Sequence, residues 1–149
     1  MTEVNPSRLI IGCDHAAFRL KELLKTDLSD KGMDITDVGT FSEMSMDYPE
    51  TGKAVAEKVS SGEYERGILL CGTGQGMCMV ANKFPHVRAA LCNDLFSAIM
   101  SRRHNNANIL VMGARIVGEG LALEIVKAWI AAPFEEGRHQ RRLALFDTV

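Results

Sequence analysis

A cysteine followed by three glycines at alternate positions, Cys71-Gly72-Thr73-Gly74-Gln75-Gly76, comes directly after the apolar run Ile68-Leu69-Leu70. Glycines so spaced between a strand and a helix leave backbone N–H groups uncovered, and with the helix N-terminus they form an anion site. The same dipoles stabilise a thiolate at Cys71. A thiolate beside a pre-formed anion hole suits nucleophilic attack or proton abstraction. The residues also fit a plain tight turn with a buried cysteine. Familiar loops are excluded: the third glycine comes one residue early for G-x-G-x-x-G, no Gly-Lys-Ser/Thr follows, and no G-x-S-x-G elbow is present. A Cys-x5-Arg phosphatase loop needs arginine where Met77 stands.

Other chemistry-bearing residues are spread along the chain. Asp14 and His15 follow the first apolar run and fit acid–base work or phosphate binding, or else a helix N-cap with a solvent-facing histidine. His104, in Arg102-Arg103-His104-Asn105-Asn106, titrates nearest neutrality, and it equally fits a cationic cap at a helix C-terminus. Arg138 and Arg142 are four apart in a basic run; on a helix they share a face as a two-pronged phosphate clamp, or they are a solvated patch. Arg115 is a further anion contact. Cys13, Asp14 and His15 make a poor metal site, since adjacent residues rarely converge on one ion. One anion hole, one activatable thiol, two histidines, a carboxylate and paired arginines, with no cofactor fingerprint, are the inventory for proton transfer on a phosphorylated substrate. Neither cofactor nor metal is expected.

The elements that must position these residues alternate. Apolar runs at Leu9–Ile11, Met33–Val38, Ile68–Leu70, Val87–Cys92 and Ile109–Met112 read as strands. Between them, Leu20, Leu23, Leu24 and Leu28 share a helical face ended by Gly32, and Pro49 opens a helix carrying Val55 and Val59. A helical stretch runs from the glycine loop to about Asn82, Leu95 and Ile99 begin another, and Leu121, Ile125 and Trp129 mark a long one. The tail from Pro133 onward is basic, with Leu143, Leu145 and Phe146 to anchor it. Continuous apolar strands argue for a parallel sheet covered on both faces. The expected fold is α/β: one Rossmann-like α/β/α sandwich over residues 1–149, with a mostly parallel sheet of about five strands and a short basic helix in the tail, about 133–149. Ligands of such sheets bind beyond the carboxyl ends of the strands, where Asp14, Cys71 and Arg115 fall.

The 149 residues are enough for a core that needs neither disulfide nor metal. Apolar residues make up 46% and the net charge is -2, so no basic field draws nucleic acid or an anionic membrane. No apolar run approaches the ~20 residues of a membrane span, and Met1–Arg8 shows no secretory pattern. Cys13, Cys71, Cys78 and Cys92 lack C-x-x-C spacing, and reduced thiols in the cytoplasm are expected.

The chain resembles the type B ribose-5-phosphate isomerase family, which includes galactose- and allose-6-phosphate isomerases. The matching stretches are Gly12-Cys13-Asp14-His15, Asp47-Tyr48-Pro49, the Cys71–Gly76 loop, Ala81-Asn82-Lys83, Arg103-His104-Asn105, Met112-Gly113-Ala114-Arg115 and Gly137-Arg138-His139-Gln140. The resemblance implies that Cys71 moves a proton between carbon-2 and carbon-1 of the open-chain sugar. Backbone N–H groups of Gly72 to Gly76 would hold the enediolate oxygen, and Thr73 would help move the hydroxyl proton. His104, with Asp14, would assist ring opening. Arg138 and Arg142, with His15 and Arg115, would hold the phosphate, while Tyr48 and Asn105 would line the pocket. It also implies a homodimer or tetramer with sites shared between subunits. The galactose-6-phosphate branch lacks the counterparts of His104 and of the Gly-Arg-His-Gln tail, so a pentose phosphate is favoured here. Rival readings are an isomerase of a six- or four-carbon sugar phosphate and a non-enzymatic phosphosugar-binding module. Gln75 departs from the family, which favours a small apolar residue there.

Overall fold

The computed structural model describes residues 7–149; Met1 to Pro6, on which the expectation of no secretory leader largely rests, lie outside the described residues. The strands are β1 (Arg8–Cys13), β2 (Asp34–Asp37), β3 (Arg66–Cys71), β4 (Ala89–Leu91) and β5 (Ile109–Gly113). The helices are α1 (Phe18–Asp30), α2 (Tyr48–Ser60), α3 (Gln75–Ala81), α4 (Leu95–Arg103), α5 (Glu119–Ala131) and α6 (Arg138–Ala144), with a 3-10 turn at His15–Ala17. All pairings are parallel, in the order β2-β1-β3-β5-β4.

Alternate side chains of each central strand go to opposite faces of the sheet. Leu9, Ile11, Ile68, Leu70, Leu110 and Met112 pack with α1, α4 and α5 in one core. Ile10, Leu69, Cys71, Ile109 and Val111 pack with α2 and α3 in the other. Both faces being covered is why these strands read as unbroken apolar runs, and each such side chain contributes roughly 1.5–3 kcal/mol by leaving water.

The long helix α5 forms where Leu121, Ile125 and Trp129 mark it, and one expectation about apolar anchors, that for the tail, needs correction. On α5 the buried stripe is Ala122, Ile125, Val126 and Trp129, while Leu121 is 42% exposed. Of the three tail anchors only Leu143 is buried; Leu145 and Phe146 are 77% and 48% exposed, because α6 offers the body of the protein a single face through His139 and Leu143.

The most deeply buried charged group sits beside the first two strands. Lys21 on α1 is fully buried, and its Nζ donates to both carboxylate oxygens of Asp37, at 2.8 and 2.6 Å. Lys25 Nζ adds a third bond at 2.9 Å, and the Gly39 N–H a fourth at 2.9 Å. Burial raises the Asp37 carboxyl, but the hydrogen bonds from Lys21, Lys25 and Gly39 outweigh it and hold it below the usual carboxylate range. A depressed folded value stabilises the protein above the unfolded value of about 4 and loses that contribution as pH falls through the folded value. Asp37→Asn takes from the buried Lys21 its nearer carboxylate, leaving only Glu22 Oε1 at 3.2 Å, and is expected to cost about 3 kcal/mol at pH 7. Urea unfolding should show that deficit narrowing below about pH 4; a deficit constant with pH would refute the ionic account.

Candidate active site

Three central strands bring their carboxyl ends together. The Asp14 N–H donates to the Leu70 carbonyl at 3.1 Å, the Ala114 N–H to Cys71 at 2.8 Å and the Arg115 N–H to Gly72 at 3.0 Å. Asp14, the Cys71 loop and Arg115 are therefore held side by side by main-chain bonds.

Cys71 is the last residue of β3 and only 5% exposed. The chain then reverses into α3, and the Gly74 N–H turns back to donate to Cys71 Sγ at 3.2 Å. The reversal needs Gly74 in the left-handed region, with φ +83°, where glycine has no Cβ penalty; a methyl group there would also meet Leu91 Cδ1 at 2.4 Å. The Gln75 N–H donates to Thr73 Oγ1 at 3.3 Å, which fixes the exposed Thr73 hydroxyl at the loop's rim. Gln75 itself is exposed at the start of α3, outside the loop's packing.

Around this loop stand four of the other expected residues. Arg115 lies along Gly72, its Nη1 3.4 Å from where a methyl group on that glycine would sit. The Tyr48 ring lies on Gly76, which has room for no side chain: a methyl there would be 2.4 Å from Tyr48 Cζ. Asp14 is 7% exposed, and its Oδ1 accepts the Ala16 N–H at 3.0 Å, so the N-cap expectation holds. His15 is half-buried rather than solvent-facing; its Nδ1 accepts the Met46 N–H at 3.2 Å, which leaves Nε2 to carry the ring proton. A cleft of about 510 Å³ runs between Asp14, His15, Met46, Tyr48, Glu50 and Lys53. Lys53 is a cation that the sequence reading missed, because one lysine on an exposed helix turn carries no distinguishing signal.

The remaining expected residues lie elsewhere in the same chain. Each helix carries the chain back across the sheet, so α4 starts near the carboxyl ends at Asp94 and finishes at His104, near the start of β5. The end of α5 is there too, since Arg66 Nη1, on the first residue of β3, donates to the Ile130 carbonyl at 2.9 Å. The five-residue step from Arg66 to Cys71 spans about 16 Å at the rise of a parallel strand. His104, Asn105, Arg138 and Arg142 are thus grouped about one sheet-length from Cys71. His104 is the C-cap of α4, as the capping alternative expected. Asn105 borders a separate cavity of about 420 Å³ with Asn82, Arg88, Phe146 and Val149. Arg138 and Arg142 are both exposed on α6.

This second group holds a feature not anticipated. His104 and His139 stack, ring centroids 4.3 Å apart and planes 10° from parallel. Glu135 Oε2 lies 3.8 Å from His104 Nε2 and 3.6 Å from His139 Nε2. Two histidines and a carboxylate raise the question of a metal. Imidazole lone pairs lie in the ring planes, however, and stacked parallel rings cannot aim both at one ion. The cluster does not fit a metal site.

Residues 9–146 match the sequence profile of the Ribose/Galactose Isomerase family. The chain is 45% identical over 142 residues to Ribose-5-phosphate isomerase B of Escherichia coli, covering 95% of both chains. It is 44% identical over 131 residues to the D-erythrulose-4-phosphate isomerase of Pectobacterium atrosepticum, covering 87% of this chain and 86% of that one. The solved structure of Clostridium thermocellum Ribose-5-Phosphate Isomerase B superposes with a TM-score of 0.93 at 46% identity, covering 95% of each chain. The glycine loop, the strand ends that hold it and the basic tail all fall within the matched residues, and the chain belongs to the ribose/galactose isomerase family.

Proposed function

We propose that the protein interconverts ribose 5-phosphate and ribulose 5-phosphate by proton transfer through an enediolate. The observation that carries this reading is the Gly74 N–H held 3.2 Å from a buried Cys71 sulfur at the carboxyl end of β3. The Cys71 thiolate takes the proton from carbon-2 of the open aldose and the electrons move onto oxygen-1. Main-chain N–H groups of Gly72, Thr73 and Gly76 face the developing charge. The thiol then returns the proton to carbon-1, while Thr73 helps move a proton from oxygen-2 to oxygen-1. Substrate and product are isomers, so no co-reactant is consumed. His15 and Arg115 hold the phosphate from the loop's side, with Tyr48 over the sugar.

We infer further that the site is completed by a second copy of the chain, in a homodimer or a larger assembly. His104, for ring opening with Asp14, and Asn105, Arg138 and Arg142, for the sugar and phosphate, are too far from Cys71 to serve it within one chain. A two-fold axis would bring each group against the other's loop, two sites at once. We read residues 1–149 as one such unit. Among the described residues, no helix is long and apolar enough to cross a membrane; four free cysteines agree with work in the cytoplasm.

The purified protein is expected to convert ribose 5-phosphate with EDTA present; failure there together with turnover of a tetrose or hexose phosphate would move the substrate assignment. The tetrose reading has support in the Pectobacterium relative described above. Sharing of the site has its own test. Cys71→Ala and His104→Ala subunits, each nearly inactive alone, should regain about a quarter of wild-type activity when unfolded and refolded together, since random pairing leaves one site in four with both residues. No recovery would mean that both residues serve one chain.

A further inference from the structure

The stacked pair at the end of α4 gives a role to a residue that the proton-transfer scheme leaves unused. His139 is 6% exposed, the most enclosed polar side chain of α6, whereas the His104 side chain is 39% exposed. Its ring covers one face of the His104 imidazole at 4.3 Å. The carboxylate between them is itself fixed: Arg103 Nε donates to Glu135 Oε1 at 2.5 Å, Arg103 Nη2 pairs with the same oxygen, and the Glu135 N–H donates to the Arg103 carbonyl at 3.0 Å. Two protonated imidazoles at that separation repel, so the stack is stable with at most one charged ring.

We propose that His139 is a positioning residue for the ring-opening step, an uncharged plate that fixes the plane of the His104 imidazole so that His104, the accessible ring, exchanges the proton with the sugar. The charged groups facing His139 fit that part. Burial first, then His104 and Arg138, hold its imidazole below the usual range; Glu135 opposes them and Arg142 adds to them. A neutral ring against a ring that must gain and lose a proton keeps its place in both states. The proposal rests on the reading that His104 opens the furanose.

The test separates ring opening from enediolate chemistry. Ribose 5-phosphate is mostly a closed furanose. Ribulose 5-phosphate, whose oxygen-5 is esterified, stays open, so exchange of its carbon-1 hydrogen with deuterium oxide needs Cys71 and no ring chemistry. His139→Ala is expected to slow conversion of ribose 5-phosphate about tenfold or more, in the range of one misaligned acid–base group, while carbon-1 exchange stays within about twofold. His139→Phe, which keeps a stacking ring without a nitrogen, should recover most of the conversion. Equal loss in both assays, no loss in either, or a selective loss that phenylalanine fails to repair would overturn the proposal. His104→Ala run alongside distinguishes the failures. If it too spares conversion, the ring-opening reading of His104 is wrong; if it is selectively impaired and His139→Ala is not, His139 has no positioning role.

Discussion

Cys71→Ala is expected to retain the fold and lose on the order of 10³–10⁴-fold in turnover, the range of a positioned general base. The stability cost should be small, about 1 kcal/mol, since only one sulfur atom leaves the core between β3 and α2. Exchange of the carbon-1 hydrogen of ribulose 5-phosphate should vanish with it. That separates this variant from His104→Ala, in which exchange is expected to persist. No neighbouring thiol can take over. Burial pushes Cys13 and Cys92 up to about 11, and burial likewise raises Cys78, so all three stay protonated near neutrality. Cys71→Ser tests the chemistry rather than the space. A hydroxyl in the same place can accept the Gly74 N–H, but it ionises far less readily than a thiol, and turnover should remain low. Near-normal turnover in either variant would remove the thiolate from the mechanism.

The second large effect is expected at a residue that touches no substrate. Gly113 ends β5 directly beneath the glycine loop, and a methyl group there would lie 2.6 Å from both the Thr73 carbonyl carbon and oxygen and 2.8 Å from Thr73 Cα. These are main-chain atoms, so no side-chain rotation relieves the clash. Either the loop or the strand must move, and the Gly113 N–H is tied to Asn93 Oδ1 at 3.0 Å. Gly113→Ala is therefore expected to cost about 1–3 kcal/mol in urea unfolding, as overpacking does. Lifting Thr73 and Gly74 away from the Cys71 sulfur should also lower turnover on the order of 10²-fold, the price of roughly an ångström at a reacting centre. Gly118→Ala is the control. A methyl there meets nothing within 4 Å, and both stability and turnover should be unchanged. Wild-type turnover in Gly113→Ala would mean that the loop adapts, and that its pre-set geometry is not what drives the reaction.

The layered sheet was legible because its pattern is dense: β1, β3 and β5 are apolar at successive positions, as only strands covered on both faces are. The loop was legible because its three alternate glycines have a physical reason visible in order along the chain. The partition of the site was less so. Cys71 and His104 look equally suited to one pocket when read as residue types; only the direction of α4 across the sheet sets them at opposite ends. The His104–His139 stack was invisible for a related reason. It joins residues 35 positions apart, the end of α4 and a face of α6, and local periodicity carries no information about such meetings. Leu145 and Phe146 misled differently: apolar character says that a residue gains by leaving water, not which surface receives it.

The sheet's outer strands bear on how the protein behaves in a crowded solution. β2 has four residues and β4 three, and β2 begins and ends with aspartate. Each therefore presents a short ladder of outward main-chain groups, on one side flanked by carboxylates, and neither is a good template for strand-to-strand accretion. Contact between copies through exposed apolar side chains such as Phe96, Met79 and Phe146, which are 71%, 67% and 48% exposed, would be of a different kind. Encounters of that kind depend on the shape of both surfaces and stop when those surfaces are matched, whereas main-chain pairing along a long open strand could add copies without limit. The brevity of two outer strands is thus a safeguard against fibrils as much as a detail of topology.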